Sequence, residues 1–358
     1  MRHSRIGVPT LLMMALLLAE ATSDAVRVPV ATDAPEEKRD ELSEFFRKYI
    51  GLSDDQITAI RSGQSVAKVL DSPTVDQVFV FGAVYVRSTP EEYLKLASDI
   101  DALKKLPNYL AIRKFGNPPQ LSDLEGLSLE EDDFKNLQKC REGKCEIQLP
   151  TDAMEEFRTK VNWLASDAHE QANGIAKRLI LEALKKYKEG GNAELGIYWD
   201  KKNPAAVEKE FQSLISRSRA LPVYLPELQT YLLNYPKTKA EHIESEFYWE
   251  KVNFGLKPTL RIVQAIVYRD KDSTNPRYAI AVKQLYASHY FETALDLTVC
   301  VPDHERPGMY VITLKGSSQA GLTGLKGGIV RKVAVDRTRS SLEKALGTIK
   351  QKLESQTD

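Results

Sequence analysis

The last third of the chain, Phe247 to Glu354, reads as four or five long strands followed by one amphipathic helix. Thr259–Arg269 alternates Val263, Ala265 and Val267 against Leu260, Ile262, Ile266 and Tyr268. Tyr278–Val301 is one very long strand or two bent ones. From Leu285 its odd positions are largely apolar and its even ones mixed, the mark of a sheet with one dry face. Pro307-Gly308 turns the chain into Met309–Leu314, and a Gly-rich loop is expected over Gly316–Gly328. Asp336–Leu353 then carries Leu342, Leu346, Ile349 and Leu353 as a buried stripe. A large sheet closed by a single terminal helix is an architecture that makes a cavity. The predicted class is therefore α+β, a curved antiparallel sheet gripping a long C-terminal helix, with a helical insertion.

The N-terminus predicts a compartment. Arg2 and Arg5 precede the apolar run Ile6–Leu18, and Ala19-Glu20-Ala21 has small residues where a signal peptidase reads. Residues 1–21 are thus expected to be a signal peptide, too short in its apolar part to span a bilayer. The exported chain, periplasmic or extracellular, is expected to have no integral membrane span. Residues 22–40, with Pro, Asp and Glu and no periodicity, read as a disordered leader. Removing 1–21 leaves 48 basic against 49 acidic residues. That balance gives no electrostatic case for nucleic acid.

Three regions follow. Residues 41–150 open with short helices at Asp40–Gly51 and from Ser53, then a strand at Val75–Arg87 that is apolar on both faces. Thr89-Pro90-Glu91-Glu92 starts a capped helix, and Asn108–Lys114 is another strand. Ser128-Leu129-Glu130-Glu131 resembles a capping box for a helix to Leu137, with a strand expected near Ile147. Residues 151–240 are helical: Thr151 is read as a cap, Asp167–Tyr187 as a long helix stopped by Gly190-Gly191, and Pro204–Ile215 and Pro226–Leu233 as further helices. Residues 241–358 hold the strands and terminal helix described above. The helical block is read as an insertion into one fold, because the strand at Val75 lacks partners nearby in the chain.

Cys140 and Cys145 flank Arg141-Glu142-Gly143-Lys144, and in an oxidising compartment they are expected to form a local disulfide. Cys300 lies in an apolar strand and reads as an inert buried thiol.

The order of strand, capped helix, helical interruption, long antiparallel strands and terminal helix resembles the START-like helix-grip superfamily, also called polyketide cyclase-like or SRPBCC. Val75–Arg87, Thr89–Leu103 and Glu246–Leu353 would be its parts, and Val86-Arg87-Ser88-Thr89-Pro90-Glu91-Glu92 looks like its opening strand-to-helix passage. The chain also resembles uncharacterised exported bacterial proteins. The superfamily resemblance implies a ligand cavity between sheet and last helix, and it includes cyclases and hydrolases.

Standard catalytic patterns are absent. His169-Glu170-Gln171-Ala172-Asn173 lacks the second His of a zinc peptidase. The Gly316–Gly321 spacing is not that of a nucleophile elbow. Ser65-Val66-Ala67-Lys68 lacks the companion motifs of a β-lactamase. No metal site or cofactor is expected from the five His residues. His289 falls by alternation between Ala287 and Phe291, aimed at a ligand or acting as a base with Tyr286 or Tyr290; its competing role is a core histidine satisfied by a neighbouring carbonyl or Tyr. Phe247, Trp249 and Phe291 would line an apolar pocket or fill the core. Arg331 would reach an anionic head group or sit in a surface ion pair.

These readings lead to an exported protein that binds a hydrophobic or amphipathic, lipid-like molecule between sheet and C-terminal helix. The ligand set is Phe247, Trp249, His289, Phe291 and Arg331. The alternatives are an enzyme on the same scaffold using His289, or a cell-envelope interaction protein meeting a protein partner through residues 151–240.

Overall fold

A computed structural model describes residues 41–72, 74–105, 108–218, 221–238, 241–254, 257–270, 276–319 and 324–355. The expected signal peptide and leader, residues 1–40, lie outside them. Three strands, β1 (Val66–Leu70), β2 (Gln77–Val86) and β3 (Tyr109–Lys114), precede the helical segment. A two-residue ribbon, β4 (Ile197–Tyr198) with β5 (Ala205–Ala206), lies within it. The strands β6 (Ile243–Val252), β7 (Thr259–Asp270), β8 (Arg277–Ala287), β9 (Phe291–Pro302) and β10 (Met309–Gln319) follow. The early and late strands share one antiparallel sheet of eight, in the order β1-β2-β10-β9-β8-β7-β6-β3. The strand expected at Val75 does have a partner nearby in the chain, β1, on one side; its other partner, β10, comes from the far end of the chain, with Ser318 opposite Gln77 and Met309 opposite Val86.

Side chains of directly opposed residues point to the same side of an antiparallel ladder. The row Phe79–Gly316–Leu295–Lys283–Gln264–Phe247 therefore marks one face, and Val80–Lys315–Asp296–Val282–Ala265–Glu246 the other.

The first face is the dry one. At one end it meets α1 (Glu41–Phe45), a π-helical turn (Phe46–Ile50) and α2 (Asp54–Arg61), with Phe46, Ile57 and Ile60 against Phe81, Ala83 and Ile312. Ser53 caps α2 in a full capping box with Gln56. The middle and far end are covered from residues 151–240. There α8 (Val207–Ser216), α9 (Leu221–Tyr224) and α10 (Pro226–Asn234) pack Phe211, Leu214 and Leu228 on Ile266, Ala281 and Leu297. The long helix α7 (Ala168–Gly190) brings Leu184 and Tyr187 to Phe247, Trp249 and Leu260.

The second face meets α3 (Pro90–Ala97), α4 (Ile100–Lys104) and the terminal helix α11 (Gly324–Glu354). Thr89 caps α3 in a second capping box, with Glu92. Leu342, Leu346 and Leu353 of α11 and Tyr93 and Leu94 of α3 close over Val80, Val84, Cys300 and Val311. The helix approaches so near β2 that a Cβ at Gly82 would stand 2.8 Å from Leu342 and Leu346. Burial pushes the Cys300 thiol up, as expected of an inert cysteine.

The protein is thus α+β, with a large antiparallel sheet and a C-terminal helix. Several local expectations change. The helix α5 (Glu131–Leu137) follows Glu130 rather than a Ser128 capping box. Thr151 is the first residue of α6 (Thr151–Lys160), not its cap, and its hydroxyl donates to Glu142. Ile147 lies outside any strand; beside it Gln148 N–H donates to Ser288 O at 2.9 Å. Most of the expected Gly-rich loop belongs to regular elements, since β10 runs to Gln319 and α11 begins at Gly324; residues 320–323 lie outside the described residues. The edge strand β1 has no signature in the sequence, because Val66–Leu70 is half-buried along its length and lacks alternation. Cys140 and Cys145 are disulfide-bonded across the Arg141–Lys144 bridge. No helix among the described residues is long and apolar enough to cross a membrane.

Candidate functional site

The long strand read over Tyr278–Val301 breaks at Ser288–Tyr290, where Tyr290 takes a positive φ of 67°. His289 therefore leaves the alternating pattern and does not sit between Ala287 and Phe291 on a strand face. Its Nδ1 lies 2.9 Å from Glu146 O and its Nε2 lies 3.1 Å from Asp133 Oδ1. The His289 and Asp133 side chains are 4% and 5% exposed. A carbonyl and a carboxylate are both acceptors. Both ring nitrogens are thus occupied, and neither is left to take a proton from a ligand. Close by, Tyr290 Oη accepts from Lys257 N at 3.0 Å and Lys257 Nζ pairs with Glu146 at 2.8 Å. The cluster pins the β8–β9 turn to α5 and to the segment after the disulfide. Replacing His289 with Ala leaves the Asp133 carboxylate buried and unpaired. The expected cost is about 3 kcal/mol, read as a fall in the denaturation midpoint. Unchanged stability would remove the clasp role.

The other expected site residues do not converge on one cavity. Phe247 and Trp249 face α7, on the side of the sheet opposite α11, and Trp249 Nε1 donates to Asp123 O at 2.8 Å. Tyr286 lies in that same cluster, its ring centroid 6.1 Å from that of Tyr198. Phe291 stacks edge-on against Phe254 at 5.0 Å. The Arg331 side chain lies outside the described residues. Alternation sorts residues into two faces, but it does not say which face the terminal helix covers.

The α11 side of the sheet carries two charged pairs. Lys315 and Asp296 are paired side by side on the inner strands β10 and β9, yet each side chain is about a third exposed, at 34% and 33%. Thr298 and Thr313 Oγ1 atoms lie 3.0 Å apart one row on, with the Tyr93 hydroxyl on Thr298. Toward the far end Arg261 and Glu250, directly opposed on β7 and β6, form an ion pair at 3.2 Å with side chains 11% and 5% exposed. Burial pushes the Glu250 carboxyl up against the pull of Arg261; Asp296 adds to the rise and Lys315 opposes it. The Arg261 Nε–H is buried and has no hydrogen-bond partner among the described residues. Burial also raises Tyr109, which feels Glu250, Arg261 and Asp296.

Around these charges lie Ala265, Val282 and Val263, with Ile100 and Leu103 of α4. Solvent thus reaches charged groups at the centre of a sheet face whose flanks are closed by α11 on one side and α4 on the other.

Sequence reading missed these residues, although a signal was present. Glu250, Arg261, Asp296 and Lys315 are charges inside strands on the mixed face, and a charge on an inner strand needs a partner or a ligand. The dry face holds its own exception, Lys283, an odd position among Ala281, Leu285 and Ala287 that is 0% exposed. No protein-family model matches the chain, and no curated protein matches it either.

Proposed function

We propose that this protein binds a small amphipathic molecule on the α11 side of its sheet, as a START-like helix-grip fold would. The observation that carries the reading is the Lys315–Asp296 pair, partly exposed at the middle of a sheet face that is otherwise closed by helices. Ala265, Val282 and Val267 offer the apolar wall, and Lys315 and the Arg261 Nε–H offer donors to a polar group. An exported carrier of a lipid-like molecule fits this arrangement. The enzyme alternative draws less support, because His289 spends both nitrogens on structural partners. The partner-binding alternative also draws less. Among the described residues of 151–240 the exposed large apolar side chains are Leu164 in the turn before α7, Ile197 in β4 and Val223 in α9, far apart in the chain.

The test is native mass spectrometry of the protein from its own source, with organic extraction of whatever accompanies it, and titration of the stripped protein with a fluorescent fatty-acid probe. The expected result is one bound molecule or one saturable probe site. Lys315→Ala, at a partly exposed position, should weaken the probe about tenfold. A bare protein that takes up no probe would overturn the proposal.

A further inference from the structure

A second polar cluster lies on the opposite face, where α8 crosses the ends of β2, β10 and β9. Gln77, Ser318 and Thr293 are directly opposed in register, so their side chains form one row on that face. They are 2%, 0% and 0% exposed. Gln77 Nε2 donates to Ser213 Oγ of α8 at 3.1 Å, which sets the helix over the row. Three residues earlier on the helix, Glu210 reaches the same place.

Ser318 Oγ lies 3.0 Å from Glu210 Oε2 and 3.1 Å from Glu292 Oε2. A hydroxyl has one hydrogen and can donate to only one of two carboxylates. The second contact therefore sets oxygen lone pairs against each other unless something positive lies between them. Beside Ser318 in the row, Thr293 Oγ1 is fully buried and has no hydrogen-bond partner among the described residues. The surrounding charge is uneven: Glu210 and Asp76 both disfavour a charged Glu292 alongside its burial, and Lys201 opposes them.

We infer that Glu210, Glu292, Ser318 and Thr293 form a site for a hard divalent cation of the Ca²⁺ or Mg²⁺ class. Two carboxylates and two hydroxyls offer only oxygen, the donor set such cations take, and no nitrogen or sulfur that would favour zinc or copper. A cation here accepts lone pairs from both carboxylates and gives the Thr293 oxygen its missing partner. It also clips α8, and with it the helical segment, to the ends of β9 and β10. The site is on the face away from the proposed ligand recess and does not depend on that reading.

The experiment uses the full chain after treatment with a chelator, titrated with Ca²⁺ and separately with Mg²⁺ by calorimetry and thermal denaturation. Saturating cation is expected to raise the midpoint by roughly 2–5 °C. Glu292→Gln should abolish both the heat and the shift. Thr293→Val keeps the shape of the side chain and should weaken binding about tenfold in a folded protein. Absence of heat and of any midpoint shift with either cation would overturn the proposal and leave the carboxyl pair sharing a proton instead. An identical shift in Glu292→Gln would overturn it as well, since the cation would then lie elsewhere.

Discussion

Between pH 7 and pH 9.5 the protein is expected to gain stability, and Lys283→Met is expected to remove that gain. Lys283 is wholly buried between β8 and the helices above it. Its Nζ donates to Tyr187 Oη at 3.0 Å and to Asn192 Oδ1, and it sits 4.0 Å from the centre of the Phe211 ring. Tyr187 in turn donates to Gln264 Oε1 at 2.8 Å. A neutral amine has two hydrogens and finds two acceptors here, whereas the third hydrogen of an ammonium would face only aromatic carbon. Burial accordingly lowers the Lys283 pKa to about 7, with the charge of Glu208 resisting. The sign follows from proton counting. An unfolded lysine titrates near 10.4, so between 7 and that value the unfolded chain holds more protons than the folded one, and stability rises with pH. Below pH 7 both forms are protonated and the contribution is flat. The full swing is on the order of 4 kcal/mol. Urea denaturation at pH 6.5 and 9.5 measures it in both proteins. Lys283→Met should be the more stable of the two at pH 6.5 and should lose the slope. Equal slopes in the two proteins would sink the argument.

A larger loss is expected from a single methyl group at Gly191. This residue ends α7 with φ 72° and ψ −140°, a conformation glycine alone adopts freely. A Cβ there would lie 1.7 Å from Tyr235 O, which is backbone and cannot swing aside. Tyr235 itself is held by stacking on Tyr187 at 5.2 Å and by contact with Tyr231 at 5.5 Å. Gly191→Ala must therefore separate α7 from the chain after α10, which also unseats Asn192, donor to Leu232 O and Leu233 O and acceptor for Lys283. The expected destabilisation exceeds about 4 kcal/mol. Gly190→Ala is a useful comparison, because its Cβ would meet the flexible Glu194 side chain instead, and it should lose much less. Equal losses at the two positions would refute the backbone clash.

Both residues were partly legible. Gly190-Gly191 stood out as a helix stop, and the clash that makes Gly191 irreplaceable came only with the fold. Lys283 breaks the apolar run of odd positions in its strand, yet nothing nearby in the chain announces Tyr187 or Asn192 as its acceptors.

What the sequence determined by itself was local. Strand periodicity, the Thr89 and Ser53 caps, the Gly190-Gly191 stop, the Cys140–Cys145 staple and the sheet-then-helix order are written within a few residues of where they act, because short-range hydrogen bonding and alternation decide them. The tertiary structure decided the rest. It paired β2 with β10, turned Phe247 and Trp249 away from α11, and set His289 on Asp133, 156 positions earlier. It also gathered Lys315, Asp296, Arg261 and Glu250 on the face that the terminal helix flanks. Alternation carries two equivalent faces, and only the packing of helices drawn from distant parts of the chain buries most of both and leaves the Lys315–Asp296 pair partly open to solvent on one.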